Sequence, residues 1–366
     1  MKLIFSKTDL MKSINIALRA VSSKTTVPIL KNILIDARGD EIKFLTNDME
    51  LAIETRVLGS IIEKGMIAIE ARTFSEVVRK LPDGLISIET NERMVATITC
   101  EKIIFTLPGL DGDDFPEMPQ ISRDYSLGIS QFTLKEMIRQ TIFSLNMNEN
   151  NKLMTGELFE IKDNALRMIA LDGHRIAIRK LALGGNYENR KCIIPGKTLN
   201  EISRILSDNL EDQVEIYLSD NHVLFLFDET SVYTRLVDGE YFRIDNMISR
   251  EYQTSVVVNR KEFINCLDRS GLLIKEGDNR PIILNIIDGF IELNIQSSYG
   301  SLSEDIDVEK EGKDLKIGFN PKFVGDALKV IDEDDVHIYF VNGKAPGYIK
   351  DEEENYIYMI LPVNVL

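Results

Sequence analysis

Residues 2–24, KLIFSKTDLMKSINIALRAVSSK, decide the fold, because the rest of the chain repeats their pattern twice. A strand-like run leads into a helix in which Leu10, Ile14, Leu18 and Val21 recur at three- and four-residue steps and so share one face. The register of Thr8-Asp9-Leu10 returns at Lys135-Glu136-Met137 and at Lys261-Glu262-Phe263, after 127 and 126 residues. A second helix in each stretch, anchored on Phe74, Leu199 and Phe323, returns after 125 and 124 residues. Two independent anchors share one period, and a period of that length is the size of a whole domain. Three tandem copies of one domain are predicted.

Between and after the helices the period drops to two. Ile86 and Ile88, Val214 and Ile216, and Val336 and Ile338 lie in alternating runs, as half-buried antiparallel strands require. Asn221 and Asn342-Gly343 supply hairpin turns. Leu81-Pro82-Asp83-Gly84 stops the second helix of the first copy. Each copy reads as strand, helix, strands, helix, strands, an α+β pattern. The acidic, proline-bearing stretch from Asp111 to Pro119 and the weakly periodic stretch from Asp238 to Thr254 act as linkers. They set the expected domains at 1–124, 125–254 and 255–366.

With 366 residues, 44% of them hydrophobic, the chain can bury several cores. No run approaches a membrane span, and the start MKLIFSKTDLMKS breaks any signal-peptide core with Lys and Asp, so a soluble cytoplasmic protein without membrane partners is expected. Cys100, Cys192 and Cys266 form no CxxC pair and read as buried small apolar residues. His174, His222 and His337 share no metal-ligand spacing, so neither a metal nor a cofactor is expected.

The net charge of −16 speaks against a polyanionic partner until its distribution is examined. In the six helical windows 7–24, 72–80, 133–145, 197–207, 259–269 and 320–330, Lys and Arg outnumber Asp and Glu by 16 to 7. Every window is positive, and the remainder of the chain carries −25. One such excess is an ordinary solvated face. Six of one sign in equivalent places suit a surface that meets phosphates by charge without reading bases.

The tandem strand–helix–strand copies bring a family into view. Its further marks are Pro28-Ile29-Leu30 after the first helix, Ala170-Leu-Asp-Gly-His-Arg175 in the second copy, Leu236-Val-Asp-Gly239 before the second linker, and Leu361-Pro-Val363 near the end. With these the whole chain resembles the bacterial sliding clamps, the beta subunits of DNA polymerase III. The resemblance implies three clamp domains per chain and a head-to-tail homodimeric ring around double-stranded DNA. It also implies a non-catalytic processivity role in DNA replication, with the DNA polymerase III alpha subunit, the clamp loader and other proteins bearing clamp-binding motifs as partners.

The same resemblance implies site residues. Lys24, Arg72 and Lys197 match DNA-associated basic positions, while Gly196 stands where the family often has another base. A partner-peptide pocket falls on Met154, Leu171, Gly173, His174, Arg175, Ile176, Phe242, Met247, Met359, Ile360, Leu361, Pro362 and Val363. Met and Leu would adapt its apolar floor to several peptides, with Gly173 leaving room and Arg175 at a polar rim. Phe242 replaces a usual proline, Asn246 a basic residue, and the ending Asn364-Val-Leu366 lacks a common arginine. Ile104, Leu272 and Leu273 match the family's apolar dimer contact.

Two other classes stay open on the residues alone. Asp172-Gly-His174 invites a catalytic dyad and Asp113-Asp114 a hydrolase metal site, yet no phosphate loop, nucleophile elbow or metal-binding helix motif accompanies them. A monomeric scaffold of repeated domains is compatible with the acidic composition, and the basic helix set argues against it.

Overall fold

The computed structural model describes residues 1–22, 25–146, 151–275 and 280–363. Lys24 and the Asn364-Val-Leu366 ending lie outside the described residues. Six α-helices occupy the six predicted places: α1 (Lys7–Ala17), α2 (Ala71–Lys80), α3 (Gln131–Arg139), α4 (Gly196–Ser203), α5 (Arg260–Gly271) and α6 (Pro321–Val330). At several of their starts a side chain accepts from a free N–H group. Ser6 Oγ accepts from Asp9 N at 3.1 Å, Glu70 from Thr73 N at 2.6 Å, and Asn259 from Glu262 N at 3.2 Å. The first helix is shorter than its window, because the chain tightens into a 3-10 turn at Leu18–Ala20.

The strands Leu85–Thr90, Gln213–Leu218 and Asp335–Phe340 carry the alternating pairs, with all six apolar side chains buried.

Backbone pairing sets the correspondence between copies and corrects the sequence anchors. Lys7 N donates to Gly84 O, Gln131 N to Asp212 O and Arg260 N to Asp334 O, at 3.1, 2.8 and 2.8 Å, so these three residues open equivalent helices. Leu10 therefore corresponds to Leu134 rather than Met137, a slip of one helical turn. The second helices begin at Ala71, Gly196 and Pro321, so Phe74 corresponds to Val324 rather than Phe323. A shift of three residues keeps a helix's apolar stripe on nearly the same face, which hides the slip from periodicity.

The chain forms two compact units, Met1–Lys135 with Glu201–Leu236, and Glu136–Asn200 with Val237–Leu366. Among the described residues each holds one continuous antiparallel sheet, of 13 strands in the first unit and 12 in the second. In the first, Leu51–Val57 pairs with Thr230–Arg235, and the Thr55 and Thr230 hydroxyls meet at 2.9 Å. In the second, Arg175–Ala182 pairs with Tyr356–Ile360. Successive copies are thus joined through backbone ladders as well as linkers.

The first copy's core gathers Phe5, Phe44 and Phe74 under α1 and α2; the third's gathers Phe263, Phe319 and Phe340 beneath α5 and α6. One position departs from the pattern. Ile33 opposite Ile69, Glu157 opposite Ile194 and Ile282 opposite Phe319 occupy the same place in the three copies, and all are fully buried. Both Glu157 carboxyl oxygens lack hydrogen-bond partners. Thr141 Oγ1 lies nearby, but its proton goes to Met137 O at 2.7 Å. Burial pushes the Glu157 carboxyl up to about 8, only partly opposed by Thr141.

Candidate peptide groove and nucleic-acid surface

In the second unit the turn after strand Ala165–Leu171 is held by one carboxylate. Asp172 Oδ1 accepts from His174 N at 2.9 Å and Arg175 N at 3.1 Å, and Gly173 takes φ 87°, where a side chain would be strained. This fold-back aims Leu171 and Ile176 to one side of the sheet. There they join Leu158, Tyr241 and Met359, with Met154 and Phe242 half-buried against them. Met247 is exposed nearby in sequence to Phe242. His174 O accepts from Leu361 N at 2.8 Å and Gly318 O from Val363 N at 2.9 Å, which fixes Leu361, Pro362 and Val363 just past strand Tyr356–Ile360.

Two residues assigned to the pocket lie elsewhere in detail. Arg175 is only 6% exposed and forms no rim. Its guanidinium reaches Asp172 at 2.8 Å, Asp326 at 2.7 Å and Phe143 O at 2.5 Å, and its carbon lies 4.5 Å from the Phe323 ring centre. Burial pulls its pKa down, but Tyr358, Asp326 and Asp172 outweigh that and hold it above its usual value. The reason is strand alternation: Arg175 and Ile176 must face opposite sides. Ile360, the pairing partner of Arg175, likewise turns away and packs into the third copy's core. His174 is the exposed polar group, its ring stacked 6.0 Å from Phe323. Phe323 and Asp326 were missed in the sequence because nothing local in the chain brings α6 to the Asp172 turn.

On the helices, structure trims the positive charge. Lys7 pairs with Asp83 at 3.3 Å, Lys135 with Asp208 at 2.5 Å and Lys261 with Asp334 at 3.2 Å; these acids sit just beyond the counted windows. Arg139 is held by Glu136 and Asp332, and Arg269 by Glu304. Lys12, Arg72, Arg79, Lys80, Lys322 and Lys329 are exposed and form no salt bridge among the described residues. Arg72, Lys197 and Lys322 each occupy the second position of their helix, and all three are exposed. Lys322 was missing from the predicted set, and a corrected register would have found it. At Gly196 an added Cβ would run into Leu145 Cδ1 and Thr155 O, so no base fits there.

Of the residues expected at a dimer contact, Ile104 is 66% exposed on strand Ile103–Leu110, and Leu272 is 83% exposed past α5. Leu273 is half-buried against the third copy's core, so a charge there would disturb folding.

The catalytic alternative fails on geometry. The Asp172 carboxylate is spent on the turn and on Arg175, not on the His174 ring. Asp113 instead pairs with Arg38 at 3.4 Å, and no group of His, Cys, Asp and Glu among the described residues could hold a metal ion. Cys100 and Cys266 are buried, and burial pushes the Cys192 thiol up to about 12. No described helix is long and apolar enough to cross a membrane.

Comparison with known proteins agrees with this geometry. Residues 1–119, 128–242 and 245–364 match the N-terminal, central and C-terminal domains of the DNA polymerase III beta subunit. The chain is 36% identical over 361 residues to a beta sliding clamp of Staphylococcus aureus, covering 96% of each. It superposes on a crystal structure described as a putative DNA polymerase III beta subunit from Eubacterium rectale with a TM-score of 0.96 and 55% identity, covering 100% of this chain and 99% of that one. The DNA polymerase sliding clamp from Bacillus subtilis gives 0.96 at 35% identity, with both chains fully covered. Three tandem domains, six helices in equivalent places and full-length similarity have one source: the chain belongs to the family of DNA polymerase III beta subunits, the non-catalytic bacterial sliding clamps.

Proposed function

We propose that two copies of this chain close head to tail into a ring that encircles double-stranded DNA in the cytoplasm, with 1–124, 125–254 and 255–366 as its repeated domains. The ring slides without reading sequence and tethers the DNA polymerase III alpha subunit, the clamp loader and other clamp-binding-motif proteins. One observation carries the closure. Each unit leaves a strand edge open: residues 103–108 pair on one side only, with Val95–Cys100, and residues 300–307 on one side only, with Phe290–Ser297, among the described residues. An open edge beside exposed Ile104 or Leu272 is a template for a second chain, and two different edges make a heterologous contact that must close to avoid filaments. Arg72, Lys197 and Lys322 supply weak, evenly repeated phosphate contacts that permit movement along the duplex, with Lys24 as a fourth base. The groove of Leu171, Ile176, Met359, Met154 and Phe242 takes the apolar part of a partner peptide, with His174 at its polar edge.

The test is topological. The protein is loaded onto nicked circular DNA with a clamp loader and the circle is then linearised. A ring leaves by the ends and is retained on the uncut circle; a protein equally retained on both forms is not a ring, and this reading falls.

A further inference from the structure

The fold-back that shapes the groove in the second unit is built a second time in the first. Asp48 N donates to Leu51 O at 3.0 Å, as Asp172 N does to Arg175 O at 3.3 Å. Asp48 Oδ1 accepts from Glu50 N and Leu51 N at 3.1 and 2.8 Å, as Asp172 Oδ1 does from His174 N and Arg175 N. Arg235 N donates to Glu50 O at 3.0 Å, the counterpart of Leu361 N to His174 O. Met49 holds φ 77° where Gly173 holds 87°.

The frame is shared and the lining is not. Asn47, Ala52 and Tyr233 stand where the second unit has Leu171, Ile176 and Met359. A cavity of about 180 Å³ opens here, walled by Met49, Glu50, Pro116, Glu117, Tyr233 and Arg235 among others. Met49 is 64% exposed although its backbone sits at a positive φ, where glycine is favoured. Two exposed carboxylates line it together with one guanidinium, the His222 ring, a tyrosine ring and the exposed Met49 thioether. Paired carboxylates beside an aromatic ring and a thioether suit a cation next to an apolar group, which the apolar floor of the other groove does not.

We infer that this first-unit groove is a second docking site, for an extended peptide segment carrying a lysine or arginine next to an apolar residue. Glu50 and Glu117 receive the cation, Tyr233 stacks against it, and Met49 covers the apolar neighbour. That the occupant is a peptide rests on the peptide reading of the second-unit groove; the preference for a cation rests on the lining alone.

The two grooves carry their own reporters. In the full chain labelled with 13C at its methionine methyls, Met49 reports the first groove and Met154, Met247 and Met359 the second. Titration with acetyl-Leu-Lys-Pro-Leu-amide is expected to shift the Met49 methyl with millimolar affinity, while acetyl-Leu-Glu-Pro-Leu-amide leaves it still. The exposed pair Glu50→Gln with Glu117→Gln is expected to weaken the lysine peptide about fivefold. A silent Met49, equal response to both peptides, or unchanged affinity in the double variant overturns the inference. Movement of Met154, Met247 and Met359 with Met49 silent removes this groove and leaves the other standing. Movement of Met49 alone supports this groove and counts against the other for these peptides.

Discussion

Ile33 and Glu157 occupy one place in two copies of the same domain, opposite Ile69 and Ile194, and neither is reached by solvent. The first adds apolar burial to its core, whereas the second must stay protonated to be tolerated there. At the second position of helices α2, α4 and α6 the reverse holds: Arg72, Lys197 and Lys322 are all basic, although an exposed site imposes nothing on folding. A backbone frame can accept a poor core residue in one copy. The three bases share one place at their helix starts, so the phosphate contacts proposed for them can be tested position by position.

The largest effect comes from imposing the second copy's choice on the first. Ile33→Glu should lose about 4 kcal/mol at pH 7, read by chemical denaturation, because the first core offers the carboxyl no partner. A loss below about 1 kcal/mol would mean that the two cores are equally tolerant. Next is the junction of the second unit, where Arg175 is buried but Leu51 sits at the equivalent turn of the first. Arg175→Ala leaves Asp172 and Asp326 without their cation and should cost about 3 kcal/mol. Faster amide exchange should appear in Arg175–Ala182 and Tyr356–Ile360 and spare Leu51–Val57.

Glu157→Ile, copying Ile33 and Ile282, should gain about 2 kcal/mol at pH 7, with some of the benefit lost to overpacking. Its pH dependence supplies the sharper reading. Below its ordinary value of 4.5 both folded and unfolded states hold the proton; from there to about 8 only the folded state does. Unfolding then releases a proton, so the stability that neutral Glu157 provides is complete below 4.5 and is lost as pH rises through about 8. Glu157→Gln should flatten this slope in a denaturation series over that range, and a slope unchanged by the substitution would place its source in other groups.

The smallest effects belong to the repeated bases. Arg72→Ala, Lys197→Ala and Lys322→Ala should each weaken DNA retention modestly and each lower the salt slope of binding by about one. If Lys322→Ala alone has no effect, the equivalence of the three positions is structural only.

Much of this was legible because it is local. The helices follow from apolar spacing and the strand runs from alternation. Register was less legible. Met137 was mistaken for Leu134, one turn away on the same face, and Phe323 for Val324, its apolar neighbour in the chain, and that error concealed both Phe323 beside His174 and Lys322 beside Arg72 and Lys197.

By itself the sequence determined three copies of an α+β domain and basic helices within an acidic chain. Only the tertiary structure decided that Arg175 is buried among Asp172, Asp326 and Phe143, and that ladders bind copy to copy through Thr55 with Thr230 and Arg175 with Ile360. It also decided that Glu157 has no partner. Periodicity is a property of neighbours along the chain. A partner 151 residues away, as Asp326 is from Arg175, exists only once backbone pairing has chosen which faces meet.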